Sequence, residues 1–276
     1  MGYVTFPRLE RSGRLGNQLY QIAATVGIAR DHGLDPLFPT RWSYRPSFSL
    51  PDSMFGDVAY PSDRPATDFA RYLDERALIY LQDLGLWWRH ADEVMGLFRP
   101  SPKAREALTP HFAAAPERPL LSIHVRRGDN VYQPDYYPMP SLDYYLAGAA
   151  AFPDHNVCIF TDDAPWCEDV LKPALAPRPA ALFHGKARPK EHEPNYMTAP
   201  VVDWVDLFLM AHCDAHVLSN STLGMWGAML AADEAAIAPW PFFGPAIPYA
   251  DASLIYRPGW RRLDARTGEP LEEATC

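Results

Sequence analysis

The sequence predicts an α/β protein built around a parallel sheet. Between about residues 116 and 240, short apolar runs alternate with helical periodicity in the order strand, helix, strand, helix, strand, helix, strand. Such alternation argues parallel strands joined by right-handed crossovers. The first thirty residues repeat half of such a unit: a strand, a glycine-bearing turn and a helix. Finally, each conspicuous polar cluster follows directly on an expected strand, the place where open parallel sheets bind ligands.

Tyr3-Val4-Thr5-Phe6 reads as the first strand, and Arg11 to Gln18 as the turn after it. Leu19, Ile22, Ala23, Val26 and Ala29 then recur at helical spacing over residues 17–30. Asp31-His32-Gly33 closes that helix, with glycine suited to the left-handed position. Pro36, Pro39, Pro46, Pro51, Pro61 and Pro65 make 36–70 a region of loops, because proline lacks an N–H and fixes φ. Residues 80–98, with Trp87 and Trp88, read as aromatic packing, and 101–115 as a helix.

Pro116-Glu117-Arg118-Pro119 is the best linker. It suggests an N-terminal α/β domain over 1–115 on the acceptor side, a nucleotide-binding domain over 116–240, and a tail, 241–276, that packs back on the first domain. Leu120–Val125 is a buried strand, followed by a helix over 144–151 capped by Ser141. Val157–Phe160 is the next strand; Thr161-Asp162-Asp163 caps a helix running to Leu171. Residues 173–200 read as loop, Val202–Cys213 as an apolar helix, Ala215–Leu218 as a strand, Ser221–Ala232 as a helix and Ala235–Ala238 as the fourth strand. No internal repeat is present.

At 276 residues the chain has room for one large domain or two small ones. With 48% hydrophobic and 21% charged residues it is not a disordered chain. A net charge of −9 argues against duplex nucleic acid and anionic membrane as partners. It leaves room for a local basic pocket taking a phosphorylated small molecule. No apolar run reaches the roughly 18 residues of a transmembrane helix. The N-terminus has no basic-then-apolar signal pattern, so a reducing, cytoplasmic setting is expected. Cys158, Cys167, Cys213 and Cys276 form no CxxC pair, which argues against zinc. Oligomeric state is not legible.

The first cluster is His124-Val125-Arg126-Arg127-Gly128-Asp129. Paired arginines at a strand end suit a diphosphate, because a guanidinium presents a planar donor fork to phosphoryl oxygens. The plainer reading is a solvated surface with Asp129 as ion-pair partner. His124, on a buried strand, is more often a satisfied core histidine than a catalyst. The second cluster, Thr161-Asp162-Asp163, accepts hydrogen bonds from a base or sugar, or merely caps a helix; the two readings balance. The third, Ser219-Asn220-Ser221-Thr222, stands before a helix and suits an anion. Local sequence alone favours ordinary capping there. Gly13-Arg14-Leu15-Gly16-Asn17 lets a ligand approach the backbone closely, a weak signal by itself.

Taken in order, these motifs are specific. Residues 13–21, the HxRRxD pattern at 124–129, Phe160-Thr161-Asp162-Asp163 and residues 219–228 together resemble family 11 glycosyltransferases, the α-1,2-fucosyltransferases. They also resemble the wider group of α-1,6- and protein O-fucosyltransferases. The resemblance implies two Rossmann-like domains facing across a cleft, the GT-B type. It implies GDP-β-L-fucose as donor, inversion at the sugar carbon, a glycan hydroxyl (α-1,2 to galactose) as acceptor, and no metal or other cofactor.

By the same resemblance, Arg126 and Arg127 hold the pyrophosphate, with Ser221 and Thr222 completing the cradle and Asn220 among the donor-binding residues. His124 and one aspartate read guanine; Asp163 is favoured slightly, the other aspartate capping the helix. Gly16 and Asn17 approach the sugar and pyrophosphate. Asp129 is the nearest motif carboxylate for a general base, though an ion pair with an arginine is the stronger reading. Glu191, Glu193 and Asp203 are looser candidates. The competing functions are a related transferase with another nucleotide sugar or an unusual acceptor, and a non-catalytic nucleotide-sugar-binding protein. Intact Arg126, Arg127 and Asp129 speak against decay.

Overall fold

The computed structural model describes residues 2–58, 80–183, 202–232, 235–248 and 251–271. The chain divides into two compact units. The first comprises Met1–Ala107, Arg188–Trp204 and Ser253–Ile255; the second comprises Leu108–Ala187, Val205–Ala252 and Tyr256–Cys276.

In the first unit, β1 (Tyr3–Val4) pairs in parallel with β2 (Asp35–Pro36), and β3 (Phe38–Pro39) with β4 (Phe55–Gly56). Short strands therefore interrupt the expected loop of 36–70, and its part beyond residue 58 lies outside the described residues. The helix Leu15–Asp31 is the spine, buried at nearly every position from Leu15 to Ala29. It begins earlier than the apolar spacing suggests, because glutamine side chains tie its first turns to the preceding loop. Gln18 Nε2 donates to Gly13 O at 2.8 Å and Gln21 Nε2 to Ser12 O at 2.8 Å. Gly33 closes it at φ +64°, the left-handed position expected. Trp87 is fully buried and meets Tyr20 edge-on at 6.5 Å.

The second unit holds the expected parallel sheet. Its strands are β5 (Leu120–Val125), β6 (Asn156–Thr161), β7 (Ala180–Phe183), β8 (Ala215–Val217), β9 (Ala235–Trp240) and β10 (Arg261–Asp264). They lie in the order β10-β9-β8-β5-β6-β7, all parallel. The chain runs outward from β5 to β7, then returns to the other side of β5 and continues to β10. The order thus reverses between β5 and β8, which makes the crevice beyond their carboxyl ends the natural ligand site.

All six residues of β5 are buried, and Leu121, Ile123, Val125, Val157, Ile159, Val217 and Ile237 form the core with Tyr144 and Tyr145. Ser141 caps the helix Leu142–Ala150 as expected, accepting from Tyr144 N at 3.1 Å.

Two strands were not expected. β7 falls in the presumed loop 173–200, and β10 in the tail. Both are sheet edges: β7 is half-buried throughout, and β10 buries only Leu263. Neither needs the continuous apolar run that marks an interior parallel strand. Within the tail, residues 261–264 extend the second unit's sheet by pairing with 237–240, while Ser253–Ile255 belong to the first unit, where Ile255 O accepts from Tyr20 OH at 3.4 Å. The stretch 116–119 is likewise stapled to this sheet. Arg118 pairs with Asp214, whose Oδ2 also accepts from Leu120 N at 2.7 Å. The division between units falls inside the helix Pro102–Ala114 rather than after it. Among the described residues no helix is long and apolar enough to cross a membrane.

Candidate functional site

The sheet brings the three polar clusters of the second unit to one end. Val125 lies opposite Thr161, which sets Arg126–Asp129 beside Asp162 and Asp163. Ile123 lies opposite Val217, which sets His124 beside Ser219.

Asp162 organises the arginine loop. Its Oδ1 accepts the backbone N–H groups of Arg127 at 2.9 Å and Gly128 at 3.2 Å, while Oδ2 meets the Arg126 guanidinium. Asp129 takes the other terminal nitrogen of Arg126. Arg126 is thus clamped between two carboxylates, and Asp129 stands as an ion-pair partner. A Cβ on Gly128 would lie 2.4 Å from Asp162 Oδ2, so the loop closes this tightly only on glycine.

Arg127 is held differently. Its Nε donates to Asp163 Oδ2 at 2.9 Å, and its guanidinium lies over the Trp166 ring, 4.4 Å from the centroid. Neither terminal nitrogen of Arg127 has a partner among the described residues. The side chain is 22% exposed. The result is a rigid, accessible cationic fork. Trp166 escaped the sequence reading; a tryptophan in the first turn after the aspartate pair was its only signal.

The aspartates divide their work unlike the expectation. Asp163, favoured as base reader, also caps the helix: its Oδ1 accepts from Trp166 N at 3.2 Å. Asp162, expected to cap if Asp163 read the base, anchors the loop instead. The reason is long-range: the backbone N–H groups of residues 127 and 128 donate to the carboxylate at position 162.

His124 Nδ1 lies 2.7 Å from Ser219 Oγ, and burial holds its pKa down at about 4. Gly224 packs on this ring, where a Cβ would approach Nδ1 to 2.8 Å. On the same sheet His216 Nδ1 lies 2.8 Å from Ser122 Oγ, and burial holds its pKa at about 3. Both values lie below the roughly 6.5 of an unfolded histidine, so below that pH the unfolded chain binds more protons. Stability is therefore greatest above about pH 6.5 and falls as pH drops toward 4. Thermal melts should show a midpoint several degrees lower at pH 5 than at pH 7.5; equal midpoints would mean that the histidines do not carry this dependence.

Ser221 occupies the N-cap of the helix Thr222–Met229, yet its hydroxyl makes no cap hydrogen bond. The ordinary capping that local sequence favoured is not what this serine does. Thr222 opens the first turn beside it. Asn220 donates from Nδ2 to Pro241 O at 3.0 Å and Phe242 O at 2.5 Å, pinning the segment after β9. Gly16 and Asn17 lie in the first unit. Gly16 is buried in the first turn of its helix, and Asn17 Oδ1 accepts from Gln82 Nε2 at 2.9 Å. Asp203 accepts from Tyr44 OH at 2.9 Å; Glu191 and Glu193 lie outside the described residues.

The family model for glycosyl transferase family 11 matches residues 113–264, which span all three clusters of the second unit. The O-antigen biosynthesis glycosyltransferase WbnK of Escherichia coli is 23% identical over 226 residues, covering 72% of this chain and 68% of that protein. Among solved structures, the fucosyltransferase NodZ from Bradyrhizobium superposes with a TM-score of 0.51 at 13% identity, over 84% of this chain and 94% of that one. POFUT1 in complex with GDP-fucose gives 0.52 at 11% identity, over 86% and 97%. At such identities the likeness is one of fold, and it bears out the expected α/β, GT-B class.

Proposed function

This chain belongs to glycosyl transferase family 11, and from that premise we propose that it transfers L-fucose from GDP-β-L-fucose to a glycan hydroxyl. The proposed product is an α-1,2 linkage to galactose, formed with inversion and without a metal. The observation that carries this reading is the Arg127 fork. Asp163 and Trp166 orient it, and its two terminal nitrogens are left for a ligand.

In the proposed reaction the acceptor oxygen attacks C1 of fucose on the face opposite GDP. The bond from C1 to the β-phosphate oxygen breaks, and its electron pair leaves with GDP. The hydroxyl proton passes to a base or to water. Charge grows on the diphosphate as the sugar becomes oxocarbenium-like. A preorganised guanidinium stabilises that charge with no reorganisation at the moment of reaction. Arg127 supplies the bidentate contact; Arg126, fixed by Asp129 and Asp162, holds the loop in shape. The first turn at Ser221 and Thr222 offers hydroxyls and N–H groups to the phosphates. Asp163 is assigned to the N1–H and amine of guanine, because two donors hold it where three hold Asp162. His124, kept neutral by burial, is assigned to the same base. Gly16 and Asn17 are assigned to the sugar and pyrophosphate. The relative named for O-antigen biosynthesis supports a saccharide acceptor.

Incubation of the purified protein with GDP-fucose and a galactose-terminated oligosaccharide tests this reading. An α-1,2-fucosylated product is expected, at a rate that excess EDTA leaves nearly unchanged. Activity lost on chelation and restored by manganese or magnesium would make Asp162 and Asp163 a metal site and overturn the metal-free mechanism.

A further inference from the structure

The segment after the arginine loop exposes apolar surface that the fold does not require. Five large hydrophobic side chains are exposed among the described residues, and three of them, Val131 (40%), Tyr132 (85%) and Tyr136 (48%), fall within six residues. Leaving such groups in water forgoes roughly 25 cal/mol for every Å² that burial would remove. Exposed apolar side chains gathered on one short segment are candidates for an interaction site.

The backbone beneath these side chains is well ordered by hydrogen bonds. Val131 N donates to Arg127 O at 3.0 Å, Gln133 N to Asn130 O at 3.0 Å, and Tyr136 N to Gln133 O at 3.0 Å. The segment after β9 clamps it from the side: Gly244 N donates to Tyr136 O at 2.8 Å and Ala246 N to Asp135 O at 2.9 Å. Tyr137 packs against Phe242 and Phe243, and Asn220 fixes that same segment through Pro241 and Phe242. A single 3₁₀ turn, Gly128–Tyr132, carries both Asp129 and the first of the exposed aromatics. The segment that carries the exposed side chains is therefore continuous in the chain with the arginine loop and hydrogen-bonded to it through Val131 N and Arg127 O.

We propose that Val131, Tyr132 and Tyr136 form the platform on which a pyranose ring of the acceptor glycan stacks, with Gln133 and Asp135 taking its rim hydroxyls. This rests on the glycosyl-transfer reading above and adds to it the residues that select the acceptor. A pyranose has a flat C–H face and a polar rim. Two tyrosines supply flat apolar faces that end in hydroxyls, and the exposed amide and carboxylate between them supply hydrogen-bonding groups. Binding sites of this make-up, apolar and aromatic with a few placed polar groups, fix both affinity and orientation.

The test uses Tyr132→Ala, Tyr136→Ala, the double variant and Tyr132→Phe. In the alanine variants the acceptor KM should rise at least about fivefold, and further in the double variant. GDP affinity and acceptor-independent hydrolysis of GDP-fucose should stay at the wild-type level, and Tyr132→Phe should retain most acceptor affinity. Saturation-transfer NMR of the oligosaccharide on the GDP-bound protein reads the same contact without turnover. A wild-type protein inactive on GDP-fucose would overturn the proposed function while this measurement still judged the platform. Unchanged acceptor binding in the double variant would overturn the platform. So would a wild-type dimer that Tyr132→Ala dissociates, which would make this surface a contact between copies of the chain.

Discussion

Replacing Arg127 by lysine is expected to lower fucosyl transfer at least about tenfold, a loss of on the order of 1.4 kcal/mol or more in transition-state stabilisation. Lysine keeps the charge. It loses the planar fork and the stacking on Trp166, and with them the fixed direction of the two terminal N–H groups. Alanine should cost more, while the fold survives, because among the described residues the Arg127 side chain is anchored only at Nε and by the ring. Steady-state kinetics with GDP-fucose, beside a melting curve, check both points. Near-normal turnover in Arg127→Lys would remove this residue from the diphosphate site and pass the role to Arg126.

Asp162→Asn should act on stability first. The carboxylate accepts two backbone N–H groups and pairs with Arg126 in a site where its side chain is only 16% exposed. An amide that presents its oxygen to the backbone turns an N–H group toward a guanidinium. Losing that charged contact costs about 1.5–3 kcal/mol, or roughly 3–12 °C in melting temperature for a unit of this size. The arginine loop should loosen with it, so GDP binding should weaken at least about tenfold. Scanning calorimetry and GDP titration on Asp162→Asn check this together. Unchanged stability with weakened binding would mean that Asp162 touches the nucleotide directly and does not shape the loop.

The interior of the second unit was legible because its strands are buried on both faces. β5, β6, β8 and β9 appear in the sequence as continuous apolar runs, and the clusters that follow them mark the carboxyl ends. The edge strands β7 and β10 were not legible: one half-buried, the other polar, they resemble loops. In the site, residue types and order pointed to the arginine loop, to the aspartate pair and to Ser221. The division of labour did not follow from them. Whether Asp162 or Asp163 caps the helix depends on N–H groups about 35 residues away in sequence. That Arg126 is clamped while Arg127 keeps its terminal nitrogens open depends on where Asp129 and Trp166 fall in space. Serine at an N-cap position likewise gave no sign that its hydroxyl would leave the cap unmade.

Calorimetric titration of the wild-type protein with GDP, UDP and ADP asks most directly whether this strand-end site is built for a guanine nucleotide. Guanine presents an N1–H and an amine side by side, which one carboxylate can accept together, and neither adenine nor uracil offers that pair. A site made to bond a polar edge discriminates strongly, because the wrong base leaves its groups unpaired. GDP should bind at least roughly tenfold more tightly than UDP or ADP, and Asp163→Asn should weaken GDP about 10- to 150-fold. If the wild-type protein binds UDP or ADP as tightly as GDP, the guanine assignment and the fucose donor both fall.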